Sequence, residues 1–515
     1  MASVNRFPRS QQPVVRALHP WVIALSPPLL LVLGMGEATY SVVRYEFRIV
    51  AVYTVLAGLL AAWLIRADRP GPVDRGSSPG LGAVSAAGEP GGAGEPGAAG
   101  GAGEPGRRAG RRLAWTLAVT FALVAVLQLK VHSYTYLSAP DGRLVHLVYA
   151  AAAALVAVAV LASGLVGRRW LADAGLAVAV IGYLIAAALL IHLDPAPKID
   201  VWVMLQQTAD GILHGKDMYS QNWSGSPGVQ DAFTYLPFTG LLLAPGRWLA
   251  GDVRWMLVVV TLLGVLAVRL LAQPVSTAEP VSGTAGLSAR RNGVLAAAGF
   301  GALLLLLPGT STQVEQAWTE PLLMACLAGW ALGVQRRNTV LAVVCLALGV
   351  ASKQHLIVLL PVLAAWPQFG LRKAAYTGGL AGLFVLPWII ASPADIWHDA
   401  VTVLVHFQPL LFADTLYIAA VNDLSWTPPF WLTGAAVLIT LGAAAVQVHR
   451  RNPDLGTVLR WGALFLFVAN LVNKQAFYNQ YWLVAALVVI SLAVPRPDPA
   501  ISDSAAIRPP AAAEV

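Results

Sequence analysis

The chain has 515 residues, of which 57% are hydrophobic and only 12% charged, and its mean hydropathy is +0.66. Soluble domains carry about 25% charged residues, so an ordinary soluble globule is excluded and the chain reads as a polytopic membrane protein. The net charge of +8 does not point to nucleic acid, because the basic residues gather in short loops between apolar spans, as the positive-inside rule expects.

About fourteen apolar segments approach bilayer-spanning length: 20–35, 48–66, 113–130, 145–165, 172–192, 254–273, 292–308, 319–335, 339–353, 355–368, 374–391, 428–447, 457–472 and 479–494. The first follows Arg9 and Arg16 but has no small-residue cleavage site behind it, so it is a membrane helix rather than a signal peptide. Residues 1–68 make an N-terminal accessory hairpin. Residues 69–112 end in "GEPGGAGEPGAAGGAGEPGRRAGRR", a composition that cannot bury apolar area and predicts a disordered cytoplasmic linker. A second hairpin occupies 113–171, a core 172–494, and a disordered cytoplasmic tail 495–515. The two cysteines, Cys326 and Cys345, fall inside apolar spans and make neither a disulfide framework nor a zinc pattern.

Segment 236–250 is ambiguous. If it crossed, Arg290, Arg291, Arg336 and Arg337 would face outward. If it lies along the outer surface, every basic loop falls on one side, including Arg168–Arg169, Arg372–Lys373 and Arg450–Arg451, and both termini are cytoplasmic. Pro237 and Pro245 also shorten any helix there. The outer face then holds the long loop 193–253, the loop 309–318, the turn at Lys353–His355, the loop 392–427 and "NKQAFYN" at 473–479. Two Lys-Gln pairs, Lys353–Gln354 and Lys474–Gln475, share that face with a concentration of acidic residues.

The motifs "KIDVWVMLQQTADGILHGKDMYS", "TYLPFTGLLLAPGRWLAGDVRW", "QAWTEPLLMACLAGWALGVQRR", "GVASKQHLIVLLPVLAAWP" and "NKQAFYNQYWLV" together resemble the GT-C glycosyltransferases. The nearest group is the polyprenyl-phosphate-mannose-dependent α-mannosyltransferases of glycosyltransferase family 87. The resemblance covers 172–494. It implies an all-α GT-C fold with about fourteen membrane segments and a large outer loop carrying short surface helices. It implies transfer of a hexose, mannose in the family, from a polyprenyl-phosphate carrier to a glycolipid or glycan acceptor, with inversion, at the extracytoplasmic face of the plasma membrane. The lipid-linked donor is a substrate, and no cofactor or obligatory metal is implied; the partners are donor, acceptor and membrane lipids, not nucleic acid. The family's general base falls on Asp200 in "IDVW". The family's "YPP" is "YLP" here, at Tyr235–Pro237.

Each candidate also has a plainer reading. Asp200 can take the acceptor proton, or simply cap the amphipathic helix predicted over 201–214 and closed by Gly215. Asp194 is the alternative base, or the start of a turn before Pro195. Lys353 and Lys474 can stabilise the charge that develops on a leaving phosphate, with Gln354 and Gln475 as further donors and His355 as a donor or as the acid that protonates it. A lysine at a helix end can also merely snorkel to the headgroups. Glu320 opens a helix, where the dipole favours it anyway, or binds a sugar hydroxyl. Arg254 begins a span on the outer side and is a candidate phosphate contact; Gln206, Tyr235 and Tyr478 are further candidate substrate contacts. Two rival classes remain. A transporter or lipid flippase would need charge at mid-membrane depth and internal repeats; a scaffold would leave the outer polar residues dispersed.

Overall fold

The computed structural model describes residues 29–67 except 37, 38, 40, 41 and 43, together with 104–130, 134–273 and 284–495. Among them there is no strand. In chain order the helices are α1 over 29–36, α2 (Phe47–Ala67), α3 (Glu104–Lys130), α4 (Ala139–Val166), α5 (Arg169–Leu193), α6 (Asp200–Leu213), α7 (Pro237–Ala250), α8 (Arg254–Leu271), α9 (Thr284–Leu306), α10 (Thr310–Glu315), α11 (Glu320–Gln335) and α12 (Thr339–Ser352). They continue with α13 (Leu360–Ala365), α14 (Gly370–Ala391), α15 (Pro393–Trp397), α16 (Val403–His406), α17 (Leu416–Leu424), α18 (Phe430–Arg451), α19 (Leu455–Leu471) and α20 (Tyr478–Ala493).

Seven of the described helices are long and apolar enough to cross a membrane: those over 47–65, 107–130, 139–166, 169–193, 254–271, 370–391 and 430–451. The protein is therefore an all-helical membrane protein. The count differs from fourteen because several apolar runs are cut short: 339–352, 354–365, 455–471 and 478–493 each have 17 residues or fewer. At 1.5 Å per residue, 17 residues reach only about 26 Å, short of a 30 Å hydrocarbon core. The expected linker also ends earlier, because α3 starts at Glu104 rather than beyond Arg112. Proline fits the first turn of a helix and arginine is a good helix former, so Pro105 and the following arginines extend the span toward its N-terminus. Residues 68–103, most of the first apolar segment and the tail beyond 495 lie outside the described residues.

Local chemistry sets the ends. Ser138 accepts a hydrogen bond from the Asp141 amide at the start of α4, and Gly167 closes it at φ +83°. Asn338 caps α12 and Asp454 caps α19 in the same way. Small residues then let helices touch. A Cβ on Gly164 of α4 would lie 2.2 Å from the Ala114 Cβ of α3, and one on Gly182 of α5 would lie 2.6 Å from the Ala152 Cβ of α4. Close backbone approach of this kind replaces the hydrophobic drive that lipid removes. Helix α2 packs on α19, where Tyr53 meets Phe467 edge-on at 5.9 Å, and the same ring stacks on Tyr481 of α20 at 4.0 Å.

The connections sort to two ends. At one, Arg291 donates to the Gly164 carbonyl (3.2 Å), Arg336 to that of Leu270 (2.8 Å), and Arg269 pairs with Asp173 at 2.8 Å. The opposite end gathers 134–138, 194–253, 307–319, 353–359, 392–429 and 472–477, linked by the hydrogen bonds described below. Segment 195–253 leaves and returns at one place, because Arg254 donates to the Asp194 carbonyl at 2.7 Å. Helices α6 and α7, each of 14 residues, lie within that connection and are shorter than a bilayer span.

Gly182→Ala is expected to lower the thermal midpoint of the detergent-solubilised protein, with an overpacking cost of roughly 1–3 kcal/mol. Adding Ala152→Gly restores the space and the midpoint. A double variant no more stable than the single one removes the close-contact explanation.

Candidate functional site

Asp200 is the first residue of α6, behind an extended Ile199. It is not the expected cap: its Oδ1 accepts from the adjacent Val201 amide at 2.8 Å, and the helix's positive end favours the charge there. A Cβ on Gly228 would fall 2.5 Å from Asp200 Oδ2, so the loop before α7 closes over the carboxylate with backbone alone.

Lys353 stands where α12 breaks, at φ −147° and ψ 126°. The extended residue turns its ammonium back toward α11. Nζ donates to Glu320 Oε1 at 2.5 Å and to Thr319 Oγ1 at 3.3 Å, and lies 5.2 Å from the ring centre of Tyr235. Glu320 is fully buried, and its Oε2 accepts from Asn479 of α20 at 2.8 Å. Burial first, then the carboxylates of Glu320 and Asp200, hold the Tyr235 hydroxyl well above its ordinary pKa. Asp200, Tyr235, Glu320 and Lys353 thus share one electrostatic neighbourhood. The Lys353 ammonium lies over the Tyr235 ring, and the Asp200 charge acts through space on the Tyr235 hydroxyl.

A second tyrosine marks the adjoining edge. Burial, then Glu315, Asp200 and Asp194, push the Tyr136 hydroxyl up to about 12. Glu315 of α10 is buried, and its Oε1 accepts from the Thr135 and Tyr136 amides at 2.6 and 3.0 Å. Desolvation dominates even so and pushes the Glu315 carboxyl from 4.5 up to about 7. Burial likewise raises Asp194, against the neighbouring Arg254.

The remaining sequence candidates hold the framework. Arg254 is fully buried; Nε and Nη2 bind Asp252 at 3.0 and 2.7 Å, and Nη2 also reaches the Asp194 carbonyl. It staples the end of α5 to the start of α8 and is not offered to a ligand at the surface. Gln206 bonds the Gly251 carbonyl and the Val253 amide at 3.2 and 3.0 Å. Tyr478 donates to the Pro308 carbonyl at 2.5 Å. Gln354 donates to the carbonyls of Thr234 and Ala400, both at 2.9 Å. Lys474 does not join Lys353: its Nζ bonds the carbonyls of Val405 and Phe407 at 2.7 and 2.6 Å. The Gln475 amide nitrogen of the main chain meets Asn473 Oδ1 at 3.4 Å. The sequence reading missed Asn479, Thr319, Tyr136 and Asp252, whose roles depend on partners in other segments.

Among the described residues no group of three or more His, Cys, Asp or Glu side chains is arranged to hold a metal ion. No family model matches the chain, and no curated protein or solved structure is significantly similar to it.

Asp252→Asn leaves the Arg254 guanidinium buried without its counter-charge, and a loss of roughly 3–5 kcal/mol in stability is expected, read as a lower unfolding midpoint. Glu315 has a folded pKa above its unfolded value, so its contribution to stability is fullest below about 4.5 and is lost as pH rises toward about 7. The parent's unfolding midpoint, measured against that of Glu315→Gln, should fall across that window. Parallel pH slopes for the two proteins would take Glu315 out of the titration.

Proposed function

We propose that this chain is an integral membrane glycosyltransferase. It moves a hexose, mannose by resemblance, from a polyprenyl-phosphate carrier to a hydroxyl of a glycolipid or glycan acceptor at the extracytoplasmic face. Asp200 takes the acceptor proton as its oxygen attacks the anomeric carbon, and the configuration there inverts. Lys353 meets the charge that grows on the departing phosphate.

The observation that supports this reading is the Lys353 ammonium over the Tyr235 ring at a break in the helical bundle, with the Asp200 charge acting on that tyrosine's hydroxyl. Irregular backbone in a membrane protein is tolerated where it is buried in protein or lines a cavity, and here it carries the functional groups. The Lys353 side chain is 12% exposed, so the ammonium is desolvated enough to act strongly and still open on one side.

The test is transfer from a polyprenyl-phosphate sugar by the purified chain. Asp200→Asn should lower kcat by about 10²–10⁴-fold, the usual contribution of a general base, with little change in donor binding. Lys353→Met should lower kcat as well. An Asp200→Asn enzyme with the parent's rate would remove Asp200 as base, and a parent inert toward every polyprenyl-phosphate sugar would remove the transferase reading.

A further inference from the structure

Burial, then the adjacent Lys353 ammonium, pushes the His355 imidazole down to about 3, which works against the acid role the sequence suggested for it. A second histidine has geometry suited to that role. His398 opens a π-helical turn over His398–Thr402 in the connection after α14. Its Nδ1 meets Asp399 Oδ1 at 2.9 Å; the histidine side chain is 55% exposed and the aspartate 2%. Asp399 Oδ2 accepts from the Phe233 amide at 2.7 Å. A buried carboxylate on Nδ1 fixes the tautomer and orients the ring, leaving Nε2 as the outward atom. Single π-helical turns are rare and are frequently found at functional sites.

The turn is anchored to the Asp200–Lys353 site. The Gln354 side chain binds the carbonyls of both Ala400 and Thr234, so the histidine turn, the residue before Tyr235 and the residue after Lys353 meet at one amide. Two residues span at most about 7 Å of backbone, which keeps His398 at the rim of that junction. Lys474 and a Ser392–Asp217 hydrogen bond pin the two flanks of the connection. Beside His398, Trp397 is 65% exposed, and an exposed tryptophan next to a polar group is the pattern of a headgroup-level surface.

We propose that His398, held by Asp399, binds the phosphate of a lipid-linked phosphate and delivers the Nε2 proton to it. The transfer step rests on the glycosyltransferase reading above. In that step the bond between the anomeric carbon and the phosphate oxygen breaks, and the carbon bonds to the acceptor oxygen. The acceptor's proton goes to Asp200, and the His398 Nε2 proton goes to the released phosphate. Solvent then takes the proton from Asp200 and returns one to His398, so the cycle balances. Asp399 faces the imidazole; the other ionisable groups of the surrounding elements are Asp395 on the preceding turn, Asp217 and Tyr219 from the turn packed against α15, and Lys474 and His406 toward the far end of the connection.

The test titrates undecaprenyl phosphate into the full chain in phosphatidylcholine nanodiscs at several pH values, read by tryptophan fluorescence. A phosphate held by an imidazolium should bind more weakly as pH rises. His398→Gln should bind at least about 10-fold more weakly on the acid side and lose the pH slope, whereas His398→Arg should keep affinity and also lose the slope. Phosphatidylglycerol titrated in place of undecaprenyl phosphate separates the sources. Loss with both probes means the site reads any lipid phosphate, and loss with undecaprenyl phosphate alone means it reads the polyprenyl carrier; either pattern supports the site. A His398→Gln chain with the parent's affinity and pH slope overturns it. Binding lost in His398→Gln, with no sugar transfer by the parent, keeps the phosphate site and removes the transfer step.

Discussion

The buried pair of Glu320 and Lys353 is the interaction on which the rest of the site depends. Glu320 has no solvent, and a carboxylate in that position is tolerable only if its charge and lone pairs are met. Lys353 meets one oxygen and Asn479 the other. That requirement joins α11, the break after α12 and α20 at one point. It also puts the ammonium over Tyr235, whose hydroxyl the Asp200 charge also reaches.

The surrounding connections follow the same physics. In a bilayer each unpaired backbone group costs several kcal/mol, so a bundle whose helices stop short must supply partners for the chain between them. Here side chains do it. Gln354 serves two carbonyls, Lys474 two more, Glu315 two amides and Gln206 one of each. The polar residues that look placed in so apolar a sequence divide into two kinds. Some, such as Lys474 and Arg254, hold the irregular backbone and helix ends together. Others are held by it: Asp200 lies under the Gly228 backbone, and His398 is half exposed beside Asp399. The proposed chemistry belongs to the second kind.

Much of the plan was legible in the residues. Hydropathy located the helices, Pro237 stands at the start of the short α7, and several of the arginine loops meet at one end. Gly215 stopped α6 where the pattern placed its end, at φ +67°. Helix starts moved, by one residue at Asp200 and by nine at Glu104. Four residues expected to meet substrate, Arg254, Gln206, Tyr478 and Lys474, have protein partners. Nothing local to "GDVRW" or "NKQAF" says whether a cation meets a phosphate, an aspartate or a carbonyl.

What the sequence by itself determined is the class of molecule: helical, membrane-embedded, with polar connections concentrated at one end. Hydropathy and the 3.6-residue repeat are properties of a segment and need no knowledge of its neighbours. Only the tertiary structure decided which of two similar Lys-Gln pairs meets Glu320 and Tyr235, and which histidine pairs with a buried aspartate. Those outcomes rest on distances of a few ångströms between residues far apart in the chain: 33 positions separate Lys353 from Glu320, 159 separate Asn479 from it, and 166 separate Asp399 from Phe233. Charge and hydrogen bonding act over those distances in space, and no periodicity along the chain encodes them.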